Sequence, residues 1–167
     1  MGRIDKVNYY LDIAETVLER STCRRSRYGA IIVHNDELVS TGYNGAPRGR
    51  DNCLDMCFCL RDRLSIPHGQ RYELCRSVHA EMNAIISASR KECMGSTLFL
   101  VGCDAMTGEY LDSVEPCSMC RRIIINAGIK RVVMRISKST YESINVQEWV
   151  IHDDSVITEG YCYQQEE

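Results

Sequence analysis

Four residues in two short stretches have the types and spacing to do chemistry. In SVHAEMNAI, residues 77–85, one small residue separates His79 from Glu81. In EPCSMC, residues 115–120, Cys117 and Cys120 lie three apart, directly after Pro116. Residues three apart on a helix share a face, so both sulfurs can point to one place. The free N–H groups and positive end of a helix start favour thiolates. Thiolates select zinc over hard, oxygen-seeking cations. Two sulfurs leave a tetrahedral zinc short of ligands, and His79 is the natural third. Three protein ligands keep a fourth position open for water, which marks a catalytic rather than a closed structural zinc. Glu81 lies close enough to reach that water without being a ligand. Zinc lowers the pKa of bound water to about 7, and a carboxylate can take and pass on its proton. The blander readings are a satisfied core histidine for His79 and half of a zinc ribbon for the Cys pair.

These side chains need elements to hold them. Apolar residues at Tyr10, Ile13, Ala14, Val17 and Leu18 make one face of an amphipathic helix over Asp5 to Arg20. Gly29 to Val33 and Leu38 to Tyr43 read as strands, joined by the turn-forming stretch His34 to Glu37 into a β-hairpin. Asn44 to Arg71 has no clear periodicity and reads as a long loop, held by a metal rather than by packing. His79 to Arg90 reads as a helix, Thr97 to Gly102 as a strand and Asp104 to Glu115 as a loop. Cys117 to Ala127 reads as a helix closed by Gly128, a typical residue just past a C-cap. Arg131 to Ile136 is a strand, and a further strand is expected near Val156 to Ile157. The order predicts an α/β layered domain with a mixed sheet. The hairpin supplies antiparallel strands, and a right-handed crossover supplies parallel ones.

At 167 residues the chain reads as one domain, 1–167. A chain of that size buries roughly two thirds of its unfolded surface and needs no staples. The N-terminus lacks a signal-like apolar core, and no apolar run approaches the ~20 residues of a membrane span. The expectation is a cytoplasmic protein with no membrane partner. Ten cysteines in a reduced compartment point to metal rather than to disulfides. Cys93, Cys103 and Cys162 read as small buried apolar residues. A net charge of −3 argues against a nucleic-acid partner. Arginines nevertheless cluster at Arg24, Arg25 and Arg27, and again at Arg48, Arg50, Arg61, Arg63, Arg71 and Arg76. They are either solvated surface charge or the holders of one or two phosphate groups.

A His-x-Glu followed by Pro-Cys-x-x-Cys is the signature of zinc nucleobase deaminases. HAEMNAI and PCSMC resemble the cytidine/deoxycytidylate deaminase superfamily. TGYNGAPRG, residues 41–49, resembles the Gly-Tyr-Asn-Gly-x-Pro loop of deoxycytidylate (dCMP) deaminases, and Arg27, Gly29 and Asn83 fit the same family. The resemblance covers about Asp5 to Arg135. It implies a three-layer α/β fold with a mixed five-stranded sheet and helices on both faces. It implies zinc-dependent hydrolysis of dCMP to dUMP and ammonia, with water attacking C4 and Glu81 moving protons. His79, Cys117 and Cys120 would hold the zinc. Asn44 would bind the sugar or base, Arg27 and Arg48 the 5′-phosphate, and Gly45 would let backbone N–H groups approach. Ala80 and Glu115 would also line the substrate site.

Two departures bear on the substrate. Glu115 stands where the family often has Ser, and it is similar to the residue of tRNA adenosine and guanine deaminases. The stretch Cys103 to Glu115 is longer than the usual loop. Deamination of another base, or a non-catalytic zinc-binding module, are the competing functions. Phage-type relatives carry a second zinc at positions matching Cys23 and Cys53. With Cys75 and His68, these could make a closed structural site, with Cys57 and Cys59 as competing ligands and buried free thiols as the alternative. The resemblance also implies a homo-oligomer, of the hexameric kind that relatives often form, with dCTP and dTTP as effectors.

Overall fold

The computed structural model describes residues 2–153. The expected strand at Val156 to Ile157, and Cys162, lie outside the described residues. Helix α1 (Lys6–Leu18) starts at Asp5, whose side chain accepts from the Asn8 N–H. Strands β1 (Ser26–His34) and β2 (Glu37–Tyr43) form the expected antiparallel hairpin. A short helix α2 (Leu60–Arg63) and a 3₁₀ turn (Tyr72–Leu74) interrupt the long segment that follows. Then come α3 (Ala80–Ile86), α4 (Arg90–Cys93), β3 (Thr97–Asp104), α5 (Ser118–Ala127), β4 (Arg131–Arg135), β5 (Tyr141–Asn145) and α6 (Val146–Ile151).

The strands form one sheet in the order β2-β1-β3-β4-β5. Only β3 and β4 run parallel, joined through α5, so the sheet is mixed as expected. One face packs on α1, through Leu11, Ala14 and Leu18 against Ile31, Phe99 and Val133. The other packs on α3 and α5, through Ala80, Ala84, Cys120 and Ile124 against Ile32, Leu98, Leu100 and Val132. β1, β3 and β4 are buried on both faces and so read as apolar runs. Cys93 and Cys103 are buried core residues, as their type suggested.

Three segments differ from the sequence reading. The helix expected over His79 to Arg90 breaks at Ser87–Ser89. Ser89 starts a new helix by accepting from the Glu92 N–H, while the Glu92 carboxylate accepts from the Ser89 N–H. This capping box outcompetes continuation of α3. The fifth strand is β5, which the sequence analysis left unassigned. It is an edge strand with only Ile144 half-buried, so its apolar signal is faint. The long loop is held by arginines. Arg24 donates to the carbonyl of Met56, Arg25 to Ile66, Arg61 to Pro67 and Gln70, and Arg76 to Asp51.

The two glycines in the hairpin set how closely the helices approach. A Cβ at Gly42 would run into the Ala80 carbonyl and the Ala84 nitrogen of α3. One at Gly29 would meet the backbone of Ala14 and Leu18 in α1. Both obstacles are backbone, so no side-chain movement relieves them. Gly42→Ala should therefore destabilise the protein by ~1–3 kcal/mol and displace the start of α3. Urea unfolding, read with metal content, checks both effects.

Candidate active site

Two helix starts converge. His79 is the N-cap residue of α3, and Cys117 is the N-cap residue of α5. Cys120 lies one turn into α5 and is buried. His79 Nδ1 is 3.5 Å from Cys117 Sγ and 3.4 Å from Cys120 Sγ. A tetrahedral zinc, with bonds of about 2.3 Å to sulfur and 2.0–2.1 Å to nitrogen, holds S and N about 3.5 Å apart. The three donors are therefore spaced for zinc. Among the described residues they are the one set of three such donors lying within 4.8 Å of one another.

The electrostatics suit a cation too. Cys120 and the His79 ring both hydrogen-bond to Cys117, which pulls its thiol down to about 4. Cys120 is pushed up by sharing that proton with Cys117, by burial and by Glu81. Burial lowers the His79 pKa, but the Cys117 hydrogen bond and the Glu81 charge outweigh this and leave it raised. A divalent cation at this spacing would favour the thiolate form of both sulfurs.

Glu81 is 5 % exposed and interacts directly with the Cys120 thiol. Burial raises its pKa, against the opposing pull of His79. Tyr72 meets the His79 ring edge-on at 4.8 Å between centroids. His79, Glu81, Cys117 and Tyr72 line a cavity of about 300 Å³ together with Tyr28, Asn44, Ala80 and Glu115, and Cys120 lies buried behind it. Glu115 is ion-paired to Arg121, whose guanidinium stacks on Trp149.

Several expected positions behave differently. Arg27 is not at the cavity; its guanidinium donates to the Ala105 carbonyl. Its place in the β1 alternation turns it away, whereas Ser26 and Tyr28 reach the cavity wall. Arg48 is exposed beyond the loop and lines nothing there. Gly45 does not offer its N–H to a ligand. It pairs with Val78, exchanging hydrogen bonds of 3.2 and 2.8 Å, and so fixes the chain just before His79. Asn83 ties α3 to the same loop by donating to the Tyr43 carbonyl.

The proposed second metal set is only partly gathered. Cys23, Cys53 and Cys75 line one cavity, and Cys23 feels the charge of both others. Their sulfurs do not close to the mutual spacing that His79, Cys117 and Cys120 show. His68 lines the same cavity, but it is an exposed residue beside Arg25 and Arg61; partial desolvation and the charges of those arginines lower its pKa. Cys59 also lines the cavity, while Cys57 is exposed.

The model of the cytidine and deoxycytidylate deaminase zinc-binding region matches residues 4–136. The chain belongs to this family. It is 37% identical to the deoxycytidylate deaminase of Mycobacterium phage D29, over 80% of this chain and 96% of that one. It is 34% identical to the deoxycytidylate deaminase of Schizosaccharomyces pombe, over 78% of this chain but only 37% of the longer yeast protein. The dCMP deaminase of cyanophage S-TIM5, solved with dCMP and dUMP, superposes with a TM-score of 0.54 at 26% identity, over 81% of this chain and 84% of that one. The zinc expected from the sequence is thus the family's zinc.

Within this family site, Asn44 has a structural task as well as a place on the wall. Its Oδ1 accepts from the Tyr28 N–H at 2.8 Å and from Ser21 Oγ at 2.6 Å, and its Nδ2 donates to the Ser26 carbonyl at 2.9 Å. One amide hydrogen remains for a ligand. Asn44→Ala should cost about 1–3 kcal/mol for each buried group left unpaired. Urea unfolding of the metal-loaded protein measures this, and a loss within the noise would mean that water replaces the amide.

Proposed function

We propose that the chain deaminates dCMP to dUMP, releasing ammonia. The observation that carries this reading is the juxtaposition of a buried Glu81 with a zinc-spaced His79, Cys117 and Cys120, of which Glu81, His79 and Cys117 line a cavity of about 300 Å³. Family membership and the dCMP-acting relatives support the choice of substrate. His79 Nδ1 and the two sulfurs would hold the zinc. When bound, zinc supplies a hydroxide equivalent at neutral pH.

Glu81 moves two protons. Its carboxylate takes one from the attacking water and gives it to N3 as the C4–O bond forms. It then carries the hydroxyl proton on C4 to the amino nitrogen, and the C4–N bond breaks with loss of ammonia. N3 keeps its proton, so the product is the 4-oxo base. A buried carboxyl group with a raised pKa is suited to both taking and giving protons. Tyr72 orients the His79 ring, and the surrounding walls exclude bulk water.

The same reading carries a cytoplasmic homo-oligomer, a hexamer, with dCTP and dTTP as effectors, on the strength of the family resemblance. No described helix is long and apolar enough to cross a membrane. A second zinc is proposed at Cys23, Cys53 and Cys75, supported by their gathering from three distant segments onto one cavity wall.

Glu81→Gln should retain zinc and fold while losing ~10²–10⁴-fold in turnover, read as ammonia release from dCMP. Normal turnover by the zinc-loaded variant would remove Glu81 from the mechanism. A panel of dCMP, cytidine, guanine and tRNA separates this activity from those of related deaminases, and inactivity on all of them would leave a zinc-binding module. Metal analysis of the purified protein should find two zinc ions per chain, falling to one in Cys53→Ala. A single zinc in fully metallated wild type would reduce Cys23, Cys53 and Cys75 to free thiols.

A further inference from the structure

The two donors that open helices do so without the usual cap. Neither His79 nor Cys117 turns its side chain to a backbone N–H of the helix behind it. The ring and the sulfur are turned to one another instead. A donor freed from capping loses the hydrogen bond that normally fixes an N-cap side chain. Its place must then be set from outside the helix. For His79 the bridge between Gly45 and Val78 does this. No such bridge precedes Cys117 among the described residues.

Arg121, one turn into α5, holds all three residues that lead into that helix. Its backbone N–H donates to the Cys117 carbonyl at 2.9 Å. Its Nε–H donates to the Pro116 carbonyl at 3.1 Å, and its Nη2 group donates to the Glu115 carboxylate. One planar guanidinium makes both side-chain contacts, and its rigid fork fixes a direction that a flexible ammonium would not. The guanidinium lies 5.2 Å from the centre of the Trp149 ring. Trp149 is half-buried against the core that holds α5, and α6 is anchored there by the buried Val146. Contacts thus run from α6 through Trp149 and Arg121 to the residues entering a metal donor.

Stability alone does not account for this arrangement. The Arg121 and Glu115 side chains are 26 % and 44 % exposed, and pairs so open to water add little to folding. What the contacts restrict is the path of the backbone into Cys117. We infer that Arg121, braced by Trp149, is a positioning residue for the Cys117 sulfur. The inference rests on the reading of His79, Cys117 and Cys120 as a zinc site. It gives Glu115 a task that a shorter, uncharged Ser could not perform, since a hydroxyl offers a guanidinium no charge.

The test measures zinc affinity of the full chain by chelator competition, in the Cys53→Ala background so that only the His79, Cys117 and Cys120 site is read. Arg121→Gln should weaken zinc binding ~10- to 100-fold, as loss of a group that orients a ligand does. The urea midpoint of the zinc-free protein should hardly move. Arg121→Lys keeps the charge without the fork and should bind zinc almost as weakly. Trp149→Leu should also weaken binding, and Trp149→Phe, which keeps a ring beside the guanidinium, should restore most of the loss. Cobalt(II) in place of zinc should show an altered visible absorption in Arg121→Gln, because a displaced sulfur changes the tetrahedral field. Unchanged affinity and an unchanged cobalt spectrum in Arg121→Gln would overturn the inference. So would full recovery in Arg121→Lys, which would make Arg121 a charge and not a fork. If Arg121→Gln fails to fold, Arg121→Lys and the two Trp149 variants decide. A wild type that takes up no zinc at this site would discard the metal reading itself, whereas a zinc-binding wild type with indifferent variants discards only the role of Arg121.

Discussion

Three donors from segments nearly forty residues apart must meet at the spacing of one small cation, and the architecture serves that meeting. The spacing tolerates little error, because zinc bonds differ by only tenths of an ångström between good and poor ligation. The protein meets it by placing His79 and Cys117 at helix N-caps rather than within helices. An N-cap has extended backbone but a fixed relation to the helix behind it. The position of each donor is then set by how its helix docks on the sheet. α3 docks closely because Gly42 has no Cβ, and α5 docks through Cys120 and Ile124. Gly45 paired to Val78 fixes the approach to α3 from the other side.

The cavity that results is polarised. Its lining includes the Cys117 sulfur, the His79 imidazole and Glu81 on one side of Tyr72, and Arg61 with Arg25 and His68 on the other. Such separation is costly unless the occupant is polarised the same way, with an uncharged base to react and an anionic tail to hold. The arginines also hold a long segment with little apolar packing. Their hydrogen bonds to its carbonyls satisfy backbone that would otherwise be buried without partners. The order of the loop thus rests on guanidinium groups, two of which, those of Arg25 and Arg61, also line the cavity.

The gathering of His79, Glu81, Cys117 and Cys120 was legible in the sequence because such chemistry is tied to short spacings, His79 to Glu81 and Cys117 to Cys120. The doubly buried strands were legible as apolar runs, and the hairpin by its turn. β5 was not, because an edge strand with one inward residue carries almost no pattern. The break in α3 was written in Ser89 and Glu92, a capping box three residues apart, but helix propensity across His79 to Arg90 masked it. The placement of the arginines was not legible for a different reason. Arg24, Arg25 and Arg27 are neighbours in sequence, yet Arg24 and Arg25 line the cavity just before β1 while Arg27, within the strand, does not. Proximity along the chain could not say which guanidinium faces the cavity. Arg61, seventeen residues beyond Asn44 in an aperiodic stretch, gave no signal beyond its charge.

The layer furthest from the zinc shows how far its positioning extends. Arg135 on β4 is fully buried, held between Asp12 and Glu15 of α1, with Lys138 on the same carboxylates. The guanidinium is buried while Asp12 and Glu15 stay partly exposed, so losing one carboxylate costs less than breaking a fully buried pair, but losing both would leave a buried charge unpaired. This clamp, with the apolar face of α1 over Gly29, fixes where α1 ends. From that end Ser21 donates to both the carbonyl and the amide oxygen of Asn44. Asn44 in turn holds Tyr28 and Ser26 on the cavity wall. A helix that touches neither the metal donors nor the substrate therefore sets the wall opposite them. Its ion pairs to the buried Arg135 are best understood as fixing a register, since an apolar contact there would hold α1 to the sheet but would let it slide.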